Sequence, residues 1–329
     1  MNQSSIPFGP APIRPPYDPE LIPGLTAIRS LVPSVNDETL ELMRELTMAD
    51  VPGREPVDLT AGGAVHVREL TITTVDADLA LTVLSPAEGP GPLPLIYYLH
   101  GGGMVAGGRH LGLDDLLPYA ADGGAVVASL EYRRAPEHPD PTPVTDCYNG
   151  LCWCSDNAGA LRIDPAHIIV TGTSAGGGLS AGIALMARDK GFPQVSHQIL
   201  VCPMLDDRFA THSSRMLDDD GTWDRNGNLY GWTALLGARR GTENVSYYAA
   251  PARAKDLSGL PSTFIDVGSA EGFRDEAIQY AIKLSEAGVN VDLHMWGGGF
   301  HGFESIAQAA VSQVASATRA EFFHRALER

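Results

Sequence analysis

Short apolar runs alternate with longer segments of helical periodicity over most of the chain. The runs are rich in valine, isoleucine and leucine, which predicts buried strands at 93–99, 125–130, 168–171, 199–202, 263–267 and 291–295. Apolar residues at helical spacing predict helices between most of these runs, near 113–121, 144–157, 179–189, 275–287 and 305–327. This alternation predicts an α/β fold, with a mostly parallel central sheet flanked by helices on both faces.

The N-terminal part of the chain does not follow this alternation. Residues 1–23 are rich in proline and predict an extended arm. Asn36 is a suitable N-cap for a short helix whose apolar positions run from Leu40 to Leu46. After a second irregular stretch, the near-alternation of apolar and polar residues over 67–83 predicts a β-hairpin.

The interval 205–254 interrupts the alternation a second time. It is polar and irregular, and it is longer than a simple loop of a compact domain. We therefore predict an excursion that carries short helices and forms a lid together with the N-terminal helix. Its acidic residues 218–220 are interpreted as a solvated charge run rather than as a Ca²⁺ site.

Composition and charge argue against several function classes. The net charge is -17 at pH 7, which disfavours binding to nucleic acid, anionic membrane surfaces and polyanionic substrates. We see no secretory signal and no apolar run of membrane-spanning length, so a cytoplasmic location is predicted. The spacing of the cysteines fits no common zinc pattern, so we predict reduced structural thiols and no metal. These cysteines are Cys147, Cys152, Cys154 and Cys202.

A candidate nucleophile follows the apolar run 168–171. Residues 172–176 read Gly-Thr-Ser-Ala-Gly and precede a predicted helix, so Ser174 lies between a strand and a helix. The G-x-S-x-G pattern in this setting is typical of a sharp turn that exposes a serine hydroxyl at the end of a sheet. Glycine and serine also build ordinary turns, so the interpretation depends on the rest of the chain.

A glycine loop supports the catalytic interpretation of this serine. Residues 100–103 read His-Gly-Gly-Gly and directly follow the predicted strand 93–99. Consecutive glycines allow backbone N–H groups to turn towards a ligand. The P-loop lysine is missing and G-x-G-x-x-G does not fit, which argues against a phosphate site. Together with the N–H of Ala175, the loop is expected to form an oxyanion hole.

A serine nucleophile needs a base, and in hydrolases with this turn the order along the chain is serine, acid, histidine. The histidines that follow the serine are His197, His212, His294, His301 and His324. His301 lies in a glycine-rich loop just past the last predicted strand, where a parallel sheet carries its functional groups. His294 alternates within that strand and is interpreted as structural, so His301 is the predicted base.

The acid is expected within or after the predicted strand 263–267. Asp266 lies in that strand, and Glu271, Asp275 and Glu276 follow it. Asp275 and Glu276 open the next helix, where a carboxylate already has a structural role beside the positive helix end. Glu271 is therefore the preferred partner of the base, with Asp275 as the alternative.

Taken in order, these motifs resemble those of the hormone-sensitive-lipase-like family of bacterial esterases, within the α/β-hydrolases. The matching segments are His-Gly-Gly-Gly at 100–103, Glu-Tyr-Arg-Arg-Ala-Pro-Glu-His-Pro at 131–139, Gly-Thr-Ser-Ala-Gly-Gly at 172–177, Arg-Asp-Glu at 274–276 and His-Gly-Phe at 301–303. The resemblance extends over residues 79–303. It implies an α/β-hydrolase fold with a helical cap, no cofactor, and often a homodimer.

The resemblance also implies roles for individual residues and segments. Ser174 is implied as the nucleophile and His301 as the base. The implied oxyanion donors are Gly102, Gly103 and Ala175. The implied cap comprises residues 1–50 and 205–254, and the implied catalytic α/β domain comprises 51–204 and 255–329.

Two positions depart from the commonest pattern of this family. Thr173 stands where aspartate is commoner, and Glu271 stands where the triad acid is usually aspartate. The threonine variant resembles a subgroup in which glutamate is the acid, so the two departures support each other. The longer side chain of Glu271 could still hold a carboxylate against His301.

The combined interpretation is a serine carboxylesterase that hydrolyses short-chain acyl esters through an acyl-serine intermediate. The implied partner is a small-molecule ester, and the triad comprises Ser174, His301 and Glu271. An amide or N-acyl hydrolase with the same triad is one alternative. The other is a non-catalytic receptor for a small ligand on the same scaffold, although such receptors usually lack the histidine that this chain retains.

Overall fold

A mostly parallel sheet forms the centre of the computed structural model, which describes residues 8–32, 34–45 and 57–328. Within them the sheet has eight strands, in the spatial order β1-β2-β4-β3-β5-β6-β7-β8. The strands are β1 (Val65–Thr73), β2 (Asp78–Pro86), β3 (Leu93–Leu99), β4 (Val126–Glu131), β5 (Ile163–Thr173), β6 (His197–Val201), β7 (Ser262–Gly268) and β8 (Val291–Trp296). From β4 to β8 the neighbours are parallel, whereas β2 pairs antiparallel with both β1 and β4. The predicted fold class and the predicted hairpin are therefore confirmed.

Helices cover both faces of the sheet. The strands are therefore buried on both sides, which explains why they are apolar runs. Leu95, Ile96 and Leu99 of β3 are fully buried, as a strand covered on two faces requires. The helices are α1 (Ile22–Leu31), α2 (Leu40–Glu45), α3 (Leu117–Ala121), α4 (Thr142–Asp156), α5 (Ala158–Leu161), α6 (Ala175–Lys190), α7 (Ser213–Met216), α8 (Arg225–Leu236), α9 (Arg274–Glu286) and α10 (Ala310–Leu327). Short 3₁₀ turns lie at Ala61–Gly63, Leu113–Leu116, Gly237–Arg239, Pro251–Arg253 and Phe303–Ser305.

The helix after the candidate nucleophile begins earlier than its sequence predicts. Apolar periodicity predicts a start at residue 179, but α6 begins at Ala175 and includes three consecutive glycines. A Cβ at Gly176 would lie 1.9 Å from the carbonyl oxygen of Leu99, and one at Gly178 would lie 2.1 Å from that of Met204. The low helix propensity of glycine is therefore overridden, because larger residues would not fit against the ends of the neighbouring strands.

Two further element boundaries differ from the prediction. The strand predicted at 168–171 is part of β5, which begins at Ile163 and crosses a polar stretch where its register against β3 shifts. The last helix begins at Ala310 rather than at residue 305, because the chain first makes the 3₁₀ turn Phe303–Ser305.

The N-terminal segment contains a helix, α1, that its proline-rich sequence did not predict. Pro23 lies in the first turn of α1, where its missing N–H costs no helical hydrogen bond. Leu21 and Leu25 are buried and pack in one apolar cluster with Phe300 and Phe303. Helix α1 thus lies against the chain around position 301. The predicted arm at residues 1–7 and the predicted helical position 46 lie outside the described residues.

The irregular interval 205–254 contains α7 and α8 and contacts the N-terminal segment through charged groups. Arg14 donates to Asp220 over 2.6 Å, and Arg29 contacts both Asp219 and Asp220. Arg225 pairs with Asp218 over 2.5 Å. Asp218 and Asp219 are exposed, as the interpretation of 218–220 as a solvated charge run expects, and the run also pairs with arginines.

The cysteines are free thiols, as predicted. Cys147 and Cys202 are buried, and desolvation raises the pKa of both thiols well above the usual range, which disfavours the reactive thiolate. A search of the described helices finds none that is both long and apolar enough to cross a membrane.

Candidate active site

Ser174 lies at a sharp turn between β5 and α6. Its φ of 60° and ψ of -119° are unusual for a residue with a side chain. The turn is held by backbone hydrogen bonds: Ser174 N–H donates to Val201 O over 2.8 Å, and Ser174 O accepts from Met204 N–H over 3.0 Å. Gly172 permits the close approach, since a Cβ there would lie 2.4 Å from the carbonyl carbon of Gly176.

The histidine predicted as base contacts this serine across the end of the sheet. His301 Nε2 lies 2.9 Å from Ser174 Oγ. Three contacts hold the loop of His301: Thr222 donates its hydroxyl to the carbonyl of His301, Asp18 N–H donates to Gly298 O over 3.1 Å, and the ring of Phe273 meets the imidazole edge-on. Sequence reasoning missed Thr222 and Asp18, because both come from segments distant along the chain.

Glu271 is the carboxylate that the structure brings to His301. Its Oε1 lies 3.2 Å from His301 Nδ1, and its Oε2 accepts a hydrogen bond from Gly268 N–H over 3.2 Å. The side chain is fully buried. An ionised carboxylate only accepts hydrogen bonds, so Nδ1 carries the proton. The lone pair of Nε2 then faces the serine hydroxyl.

The other acidic candidates point to different partners. Asp275 accepts from Ser213 N–H over 2.8 Å and pairs with Arg274 over 2.7 Å. Asp266 pairs with Arg319 over 2.7 Å, and burial raises its pKa to about 6. Glu276 accepts from the N–H of Leu205 over 2.8 Å, and burial raises its pKa well above the usual range. Their hydrogen bonds give these carboxylates roles in packing.

The glycine loop lies directly against the serine turn. A Cβ at Gly101 would be 3.0 Å from Thr173 O and 3.4 Å from Ser174 Cβ. Gly102 and Gly103 have positive φ values of 115° and 62°. A Cβ at Gly102 would also lie 2.2 Å from Ala106 O, so only glycine fits this turn. Ala175 directly follows Ser174 and is the first residue of α6, so its backbone N–H has no partner within the helix.

The side chain of His100 contacts the backbone of the glycine loop. Its Nδ1 lies 2.8 Å from Gly101 O, which can only accept, so Nδ1 carries the proton of a neutral ring. The ring stacks on Tyr132 with centroids 4.2 Å apart, and Tyr132 donates its hydroxyl to His100 O over 2.9 Å. Burial lowers the pKa of His100 from 6.5 to about 4, because an imidazolium there would lose its hydration.

This buried histidine predicts an acid-sensitive stability. Between pH 6.5 and pH 4 the unfolded chain binds a proton at His100 that the folded chain does not, so folding becomes less favourable as the pH falls. We expect the wild type to lose about 2 kcal/mol more unfolding free energy than His100→Gln between pH 7 and pH 4.5. Urea unfolding at both pH values measures this difference. His66→Gln, at an exposed position, is the control and should lose as much unfolding free energy as the wild type. An equal loss in wild type and His100→Gln would show that His100 is not the source of the acid sensitivity.

One group of side chains near the serine has the spacing of metal ligands. Candidate ligand atoms of Cys202, Glu271 and His301 all lie within 4.8 Å of one another. A metal ion there would replace the hydrogen bond between His301 Nδ1 and Glu271 Oε1. The orientation of the imidazole towards Ser174 therefore fits proton transfer better than metal ligation.

Comparison with known proteins places this arrangement in a family. A family model described as the alpha/beta hydrolase fold matches residues 96–305. The carboxylesterase NlhH of Mycobacterium tuberculosis is 34% identical over 232 residues, which cover 70% of this chain and 72% of that protein.

Solved structures of esterases superpose over nearly the whole chain. Bacterial heroin esterase matches with a TM-score of 0.87 and 37% identity, covering 94% of this chain and 98% of that one. Esterase LipW from Mycobacterium marinum matches with a TM-score of 0.83 and 29% identity, covering 96% and 99%. The chain therefore belongs to the α/β-hydrolase fold family, in the hormone-sensitive-lipase-like branch of serine ester hydrolases.

Proposed function

We propose that the protein hydrolyses short-chain carboxylic esters through an acyl-serine intermediate, with Ser174, His301 and Glu271 as the triad. The observation that carries this proposal is the continuous chain of contacts from Ser174 Oγ through the imidazole to the buried carboxylate, at 2.9 Å and 3.2 Å. A nucleophile, a base and an orienting group in hydrogen-bond reach are the signature of nucleophilic catalysis.

In the first half of the reaction, Ser174 attacks the ester carbonyl. His301 Nε2 takes the hydroxyl proton, and Glu271 stabilises the resulting imidazolium through the proton on Nδ1. The backbone N–H groups of Gly102, Gly103 and Ala175 bind the oxyanion of the tetrahedral intermediate. The N-terminus of α6 adds positive partial charge at the same place.

The second half of the reaction releases both products. His301 gives its proton to the leaving alkoxide, and the alcohol departs from the acyl-enzyme. Water then attacks the acyl carbonyl with His301 again as base, and Ser174 regains its proton as the carboxylic acid leaves.

We propose that residues 1–50 and 205–254 form a cap over this site, and that 51–204 and 255–329 form the catalytic domain. Contacts between the described parts of the two cap segments support this division. Tyr230 donates to Asp37 over 3.0 Å, in addition to the ion pairs of 218–220 with the N-terminal segment. A cover of this kind favours small substrates over emulsified lipid, since an enclosed site admits only what fits.

Initial rates on p-nitrophenyl esters of increasing acyl length, with matched p-nitroanilides, test the proposed function. We expect turnover of the esters, with the highest kcat/KM at short acyl chains and much slower anilide hydrolysis. Faster hydrolysis of the anilides would favour the amide hydrolase instead. Saturable binding of a small carboxylate without turnover of any ester would favour the receptor.

A further inference from the structure

Trp223, from the 205–254 segment, packs directly against the glycine loop. A Cβ at Gly103 would lie 2.3 Å from Cη2 of its indole. Two glycines of α8 also line the indole: a Cβ at Gly227 would lie 3.7 Å from Cε3, and one at Gly231 would lie 3.6 Å from Cζ2. The indole thus fills a slot whose walls are glycines, and a larger residue at Gly103 would displace it.

The same indole also lines a cavity of about 270 Å³, and Gly103 is not among the other lining residues. Its apolar lining comprises Ile28, Val32, Val35, Met43 and Trp223. The polar groups in its wall already have partners, since Arg29 pairs with Asp219 and Asp220. One water molecule occupies about 30 Å³, and a methylene group is of similar size, so the cavity has room for several carbons of an apolar chain.

The position of Trp223 is set by contacts on both sides of it in the chain. The hydroxyl of the preceding Thr222 donates to the carbonyl of His301. The carboxylate of the following Asp224 caps α8 by accepting from Asn226 and Gly227 N–H over 3.1 Å and 2.8 Å. Because these anchors tie the indole to the histidine loop and to α8, the ring is held where it contacts Gly103 and lines the cavity.

The N–H group of the Trp223 indole makes no hydrogen bond with the residues that the structure describes. This N–H group is buried. A buried donor without a partner costs free energy, which a bound oxygen acceptor would recover. An ester supplies two such oxygens, whereas the ring face beside the N–H would block the continuation of a long apolar chain.

We propose that Trp223 sets the upper length of the apolar chain that the substrate carries, by closing the passage from the glycine loop to the cavity behind it. This inference rests on the proposed ester hydrolysis and specifies the substrate class: esters whose chain ends at the indole. Trp223 acts on substrate length and takes no part in proton transfer.

The test compares wild type, Trp223→Ala and Trp223→Phe on two substrate series. One series varies the acyl chain of p-nitrophenyl esters from two to twelve carbons, and the other varies the alcohol chain of acetate esters. We expect Trp223→Ala to raise kcat/KM for eight- to ten-carbon chains, relative to two-carbon chains, by about tenfold or more. The series that changes identifies the side of the ester that faces the indole. Trp223→Phe keeps a ring in the slot and should retain the wild-type length limit.

A refilling variant tests whether the gain passes through this cavity. Val32→Phe in the Trp223→Ala background fills the space behind the indole, so it should remove most of the gain for long chains. Trp223→Leu replaces Trp223→Ala if thermal melting shows that the alanine variant does not fold. Unchanged length profiles in both series, with an active wild type, would overturn this inference alone. A wild type without turnover of any ester would overturn the proposed function as well.

Discussion

Replacing Ser174 by alanine is expected to lower kcat for p-nitrophenyl butyrate by about 10⁵-fold or more, as the loss of a serine nucleophile does in other triads. The substitution removes the hydroxyl that lies 2.9 Å from His301 Nε2, so no acyl-enzyme can form. The fold should persist, because alanine keeps the backbone hydrogen bonds of the turn to Val201 and Met204. Initial rates and a thermal melt measure the two effects separately.

Ser180→Ala is the matched control for this variant. Ser180 lies on α6, in the helix that begins after the nucleophile, and is fully buried. Its replacement removes a hydroxyl of the same kind without touching His301, so near-normal rates are expected. Mass spectrometry after treatment with an organophosphate should show one covalent adduct in Ser180→Ala and none in Ser174→Ala. If Ser174→Ala kept more than one per cent of the wild-type ester turnover, Ser174 would not be the nucleophile.

Replacing Glu271 by glutamine is expected to lower kcat by about 10⁴-fold, the loss seen when a triad carboxylate becomes an amide. Glutamine keeps the size of the side chain but removes the charge that stabilises the imidazolium. Its NH₂ group can also face His301 Nδ1, which then becomes the acceptor and leaves the proton on Nε2. In that tautomer the ring cannot accept the proton of Ser174.

Asp275→Asn is the matched control, since the sequence left Asp275 as the alternative acid. Its carboxylate contacts Ser213 and Arg274. We expect less than a tenfold change in kcat, with a lower melting temperature as the main effect. Measuring kcat against pH for both variants separates loss of a base from loss of packing. A larger loss of kcat in Asp275→Asn than in Glu271→Gln would show that the acid has been misassigned.

Both carboxylate oxygens of Glu271 have a hydrogen-bond partner. Its Oε2 accepts from Gly268 N–H at the end of β7, while Oε1 faces the imidazole. The side chain therefore turns back towards its own strand and is fixed at both oxygens. The side chain of Thr173 takes no part in these two contacts, so the link between Thr173 and a glutamate acid stays a prediction from the sequence.

The sequence by itself determined the fold class, the hairpin, and a ranked set of site residues. Strands buried on both faces must be apolar throughout, so β3 and β7 appear as continuous runs. The turn at Ser174 and the loop before Gly103 require glycine for steric reasons, and that requirement is visible in the sequence.

Only the tertiary structure decided which side chains meet. Spacing in a loop does not give the direction of a side chain, so the choice between Glu271 and Asp275 depended on where β7, β8 and α9 lie relative to one another. Helix α1 and the early start of α6 also escaped prediction, because packing against distant segments outweighed local propensity. For the same reason the contact of Trp223 with Gly103 appears only in three dimensions: it joins residues 120 positions apart through the close approach of two backbones.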